Sequence, residues 1–162
     1  MVLLCPCCTT ITISVLGIGI CFRDSHDSLV QAHIMVFPFE VITTECEASA
    51  LKHVLLLATT NGFERVIFES DCLMAFNAIT THYRYENELG TLLSTCKSIL
   101  SPNANYNITF VRRQANRVAD NLTIASVLQS SPKTFYHPPS CISFWVPLTC
   151  APRAHDKVYL IR

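Results

Sequence analysis

The spacing of apolar and polar residues changes several times along the chain. From Thr10 to Val15 they alternate (TITISV), which is the period of a half-buried strand. Residues 17–23 (GIGICFR) read as a strand, residues 24–28 (DSHDS) as a turn cluster, and residues 29–36 as a returning strand. These make a hairpin that Pro38 ends. A helical period follows. Thr44 with Glu47 three residues later fits a capping box, and Glu47, Leu51, Val54, Leu55 and Ala58 fall on one face. Asn61-Gly62 stops that helix. Residues 65–68 (RVIF) predict a short strand, which Glu69-Ser70-Asp71 closes before a helix over 72–80. After a polar connection (82–87) an amphipathic helix spans 88–100. Residues 107–111 (NITFV) predict the last strand, and residues 112–116 lead into a helix over 117–129. Beyond Ser130 the chain reads as irregular and proline-rich. Hairpin strands followed by β-α-β units predict an α/β fold, a mixed sheet with helices on both faces.

Composition sharpens this picture. The chain has 162 residues, a length that suits one domain. Only 15% are charged against a usual value of roughly 25%, and 50% are hydrophobic, the reverse of a disordered composition. The net charge of zero gives no support to a globally basic nucleic-acid binder. No charged residue precedes Arg23, so residues 1–22 are long enough and apolar enough to raise a membrane span. Pro6, the run of Thr residues, the strand alternation and the lack of a basic leader favour buried strands. A membrane or signal segment and a misread start are the alternatives. The nine Cys include one C-x-x-C (Cys5 to Cys8) without a second pair. They read as small buried hydrophobes in a reducing compartment rather than as a zinc site or a disulfide framework.

Three acids stand where chemistry could gather. Glu47 lies in the first turn of the first long helix, Asp71 at the C-terminal end of a strand, and Asp120 in the first turn of the last helix. Carboxylates converging at one sheet edge could hold Mg2+ through oxygen ligands. Each also has a plainer reading: Glu47 as half of a capping box, Asp71 as an N-cap, Asp120 as an acid favoured by the helix dipole. Charge is also uneven. Residues 97–133 carry Lys97, Arg112, Arg113, Arg117 and Lys133 against Asp120 alone, a modest basic strip that suits phosphates or a solvated helix face.

Three segments together carry a resemblance: residues 47–51 (EASAL), 62–71 (GFERVIFESD) and 110–120 (FVRRQANRVAD). With Gly17-Ile18-Gly19 and Arg23-Asp24, and with residues 135–142 (FYHPPSCI), the chain resembles the plant ribonuclease H-like domain family. That family is reverse-transcriptase-like and of the type 1 ribonuclease H fold. The resemblance covers residues 17–142 and implies a mixed five-stranded sheet with helices on both faces. It divides the chain into a divergent or replaced start (1–16), a ribonuclease H-like domain (17–131) and an irregular C-terminal tail (132–162).

The resemblance further implies an Mg2+-dependent endonuclease that cuts RNA in an RNA–DNA hybrid. Glu47, Asp71 and Asp120 take three of four metal-ligand places, which makes them the expected catalytic residues. Asn116 matches the Asn that heads the final helix, and Arg112, Arg113, Asn116 and Arg117 are the expected nucleic-acid contacts. The fourth place, an Asp on the first strand, is empty, because no acid occurs before Asp24 and Asp24 matches the hairpin turn. In the family that Asp is the ligand shared between two metals, so cleavage is expected to be severely impaired. A catalytically inactive, retroelement-derived remnant that binds nucleic acid is the alternative, and a small membrane-anchored protein a weaker one. The expected partner is RNA–DNA hybrid or RNA, with a monomeric chain, no clear protein partner, and an intracellular location in nucleus or cytoplasm.

Overall fold

The computed structural model describes residues 15–38, 43–81, 86–112, 117–126, 128–129, 131–143 and 156–160. The elements run β1 (Val15–Arg23), β2 (Leu29–Pro38), α1 (Thr43–Thr60), β3 (Val66–Ser70) and α2 (Leu73–Thr80). They continue with α3 (Glu88–Leu100), β4 (Tyr106–Phe110), α4 (Arg117–Ser126), β5 (Lys133–Phe135) and β6 (Asp156–Leu160). The second part of the uncharged opening is therefore sheet. No helix among the described residues is long and apolar enough to cross a membrane.

Local chemistry explains the punctuation. Asp24 Oδ1 accepts hydrogen bonds from the His26 and Ser28 backbone N–H groups at 2.8 and 2.9 Å, closing the turn between β1 and β2. Gly62 ends α1 at φ +70°, a left-handed conformation that costs a residue with a Cβ. Two boundaries differ from the sequence reading. Helix α1 begins at Thr43, so Thr44 already lies inside it. The N-cap of α2 is Cys72, whose sulfur accepts from Ala75 N–H at 3.4 Å. Asp71 precedes that cap, which removes the plain reading of its carboxylate as the capping group.

The strands form one six-stranded sheet in the order β4-β3-β6-β1-β2-β5. Strand β3 is parallel to β4 and β6, while β1 is antiparallel to β6 and β2. Strand β2 consequently runs the same way as β3. Among the described residues this sheet has one strand more than the sequence reading expected, and the strand expected over Thr10 to Val15 lies outside them except for Val15. Its β5 and β6 come from the stretch read as an irregular tail, and β6 sits in the middle. Strand β1 reaches β3 only through β6.

Alternation along β1 feeds two cores. Ile18, Ile20 and Phe22 face α1 and join Val54, Leu55, Val66 and Phe68 in the larger core. Phe68 stacks edge-on against Tyr106 with ring centroids 5.3 Å apart, and the Tyr106 hydroxyl donates to the Phe63 carbonyl at 2.7 Å. Helices α2 and α3 extend this layer through Ala48, Ala78, Leu89 and Leu93. On the opposite face, Cys21, Ala32 and Ile34 pack with Val118 and Leu122 of α4 and with Ile142. Two glycines let α4 come this close. A Cβ on Gly17 would collide with Ser126 Oγ, and one on Gly19 would lie 2.5 Å from Thr123 N and 2.7 Å from the Ala119 carbonyl.

The described cysteines are free thiols, and Cys21, Cys46 and Cys96 are buried. Burial pushes the Cys21 thiol up to about 12 against the opposing pull of Arg23. It does the same to Cys96, opposed by Lys52. These residues pack as small hydrophobes. Cys5 to Cys8 lie outside the described residues.

Candidate carboxylate site and nucleic-acid interface

Strands β2, β3 and β4 all end at one edge of the sheet, and each is followed by an acid in or just ahead of the next helix. Strand β2 leads to α1 with Glu47, β3 to Asp71 ahead of α2, and β4 to α4 with Asp120. Open α/β sheets gather ligands at such an edge, because the loops leaving the strand ends are free to vary above a rigid frame. Glu47 is buried, while Asp71 and Asp120 are half-buried. Glu47 and Asp120 come from opposite layers, since α1 and α4 cover different faces. Glu47 Oε2 and Asp71 Oδ2 are buried and take no hydrogen bond, although both residues interact elsewhere.

Hydrogen bonding ties the end of β4 to the end of β3. The Val111 N–H donates to the Ser70 carbonyl at 2.9 Å, which carries the ladder one step past Phe110 and brings exposed Arg112 next in line. Arg117, also exposed, opens α4. Arg113 and Asn116 lie outside the described residues.

The donor chemistry suits Mg2+, a hard cation that takes carboxylate oxygens. The arrangement does not. Among the described residues, no three of His, Cys, Asp and Glu lie close enough to hold a metal ion together. A further carboxylate shared with Asp71 would come from a strand flanking β3. Strand β6 pairs in register from Val66↔Asp156 to Glu69↔Tyr159. Leu160 is therefore its residue at the Asp71 end. Its own acid, Asp156, stands beside Val66, and the five steps from Val66 to Asp71 span about 16 Å of extended chain.

Comparison with solved structures shows that this arrangement is a ribonuclease H fold. The chain is similar to ribonuclease H1 from the halophilic archaeon Halobacterium salinarum NRC-1, with a TM-score of 0.51 at 15% identity. That match covers 67% of this chain and 93% of the other. It is also similar to the N-terminal ribonuclease H domain of a Mycobacterium tuberculosis protein, solved as a fusion with maltose-binding protein. Here the TM-score is 0.50 at 14% identity, covering 71% of this chain and 94% of the other. No curated protein matches the chain. The reverse transcriptase-like family model matches residues 10–125, and the chain belongs to that family.

Proposed function

We propose that this chain is a nucleic-acid-binding ribonuclease H-like domain that takes RNA–DNA hybrid and cleaves its RNA strand poorly or not at all. Family membership over residues 10–125 supports the binding half of this reading. The observation that carries the other half is the register of β6, which brings Leu160 rather than an acid to the Asp71 end of the sheet. Glu47, Asp71 and Asp120 remain the residues through which any residual Mg2+ affinity would act.

Binding can persist without cleavage because the two draw on different groups. Phosphate contacts from Arg and Lys contribute most of a nucleic-acid complex's affinity and need no metal. Arg112 and Arg117 are exposed and flank the segment that joins β4 to α4, with Arg113 and Asn116 between them in sequence. These four are the proposed contacts.

The test is fluorescence anisotropy of a labelled RNA–DNA hybrid, titrated with the full chain in Mg2+ and again in chelator. The expected result is binding of similar strength in both, weakening as salt rises. Arg112→Ala and Arg117→Ala should each flatten the salt dependence by about one unit of log–log slope. Binding that vanishes in chelator would show that the metal, and not the basic strip, holds the ligand.

A further inference from the structure

Beside Asp71 three large apolar side chains stand in water. Leu73 is 52% exposed, Met74 46% and Phe110 38%. The first two lie in the opening turn of α2, directly after the Cys72 cap. Phe110 ends β4 and pairs in register with Ser70, the residue before Asp71. A helix of eight residues beside a sheet would ordinarily turn such side chains inward, and here α2 buries only Ala75 and Ala78.

Helix α2 meets the Phe110 ring through Phe76. The Phe76 ring lies 6.4 Å from the Phe110 ring, tilted by 49°, and braces it from the α2 side. Leu73, three residues before Phe76, shares its helix face. Strand β4 is the edge of the sheet among the described residues, and Asn107 and Thr109 on it are also exposed. Exposed Arg112 follows Phe110 by two residues, about 7 Å of extended chain.

We propose that Phe110, braced by Phe76 with Leu73 on the same helix face, is a stacking platform for one unpaired base beside Asp71, with Arg112 meeting the phosphate of the same strand. This rests on the nucleic-acid reading above and adds to it a second mode of contact, for strands that present an open base, such as a single strand or the frayed end of a hybrid. Charge and size select this occupant. An aromatic face next to a guanidinium matches a base next to its phosphate, the pairing that single-strand binders use. A stable protein partner would need roughly 800 Å² on each side, far more than three partly exposed side chains offer.

The test compares a short labelled single-stranded RNA with the same strand annealed to blunt, fully paired DNA, using the full chain and the variants Phe110→Leu and Phe110→Trp. Phe110→Leu keeps apolar bulk and removes the ring. It should weaken single-strand binding about tenfold, the effect of one lost base–aromatic stack, while leaving hybrid binding within twofold. Phe110→Trp should restore it. A 2-aminopurine in the single strand should be quenched by the wild-type chain and by Phe110→Trp, and not by Phe110→Leu. The proposal is overturned if Phe110→Leu leaves single-strand affinity and quenching unchanged, or weakens both ligands equally. It is also overturned, with the nucleic-acid reading intact, if the wild-type chain binds hybrid and not single strand. If the chain binds neither ligand, the nucleic-acid reading itself fails.

Discussion

Replacing Gly19 by alanine tests how α4, the helix that carries Asp120, is held to the sheet. The new Cβ would lie 2.5 Å from Leu122 Cβ, 2.5 Å from Thr123 N and 2.7 Å from the Ala119 carbonyl. Two of these atoms are helix backbone, so no rotamer change relieves the contact and α4 itself must move away. Overpacking of this kind costs about 1–3 kcal/mol. The shift also strains the bond from Gly19 N–H to Thr123 Oγ1, now 3.0 Å, which is worth about 1 kcal/mol. Alanine returns about 0.4–1 kcal/mol by restricting the unfolded chain. The expected net loss is about 2 kcal/mol, or about 4–8 °C in Tm for a chain of this size. Urea unfolding at constant m-value measures it. Gly62→Ala is the control, because a Cβ there meets nothing within 4 Å and suffers only the positive φ of +70°, at about 1 kcal/mol. If Gly19→Ala proves as stable as the wild-type chain, α4 does not rest on β1 as described.

Other changes probe the centre of the sheet and the buried titrating groups. Val158→Pro should remove a backbone donor from β6, which is paired on both sides, and destabilise the fold by about 1–3 kcal/mol or more; an unchanged unfolding midpoint would remove β6 from the sheet. Stability should fall as pH rises above the ordinary thiol value of 9.0. Unfolding frees Cys21 and Cys96 to ionise there, whereas burial keeps them protonated in the fold up to about 12. It should also fall below the ordinary imidazole value of 6.5, because burial lowers the His33 pKa and only the unfolded chain takes up that proton. Denaturation midpoints across pH check both limbs, and Cys96→Ser and His33→Gln should each flatten their own.

Much of this architecture was legible because its signals are local. The hairpin turn announces itself in residues 24–28, and Asp24 caps it with its own side chain. Helix α1 shows its core face through Leu51, Val54, Leu55 and Ala58, all buried. Gly62 marks its end by a conformation that few residues tolerate. The acids could be placed by their position after strands for the same reason.

What escaped depends on distant partners. Strand β6 has five residues, and its pairing with β1 and β3 joins segments far apart in sequence. Nothing within residues 156–160 distinguishes a central strand from a tail. Strand β5 has only three residues and owes its place to β2. The capping role of Cys72 was hidden by Asp71, a better capping residue one position earlier. Leu73, Met74 and Phe110 carry an apolar pattern that reads as core. Only the folded arrangement exposes them at the edge of the sheet.

The central claim is that binding and cleavage have separated in this chain. The direct measurement incubates the full chain with a labelled RNA–DNA hybrid in Mg2+ at protein concentrations that saturate binding, alongside Asp71→Asn and a chelator control. The expected result is a bound hybrid whose RNA strand is cut slowly at most, with Asp71→Asn binding as tightly as wild type. Rapid, complete and chelator-sensitive cleavage of the bound RNA by the wild-type chain, abolished by Asp71→Asn, would show that binding and cleavage have not separated.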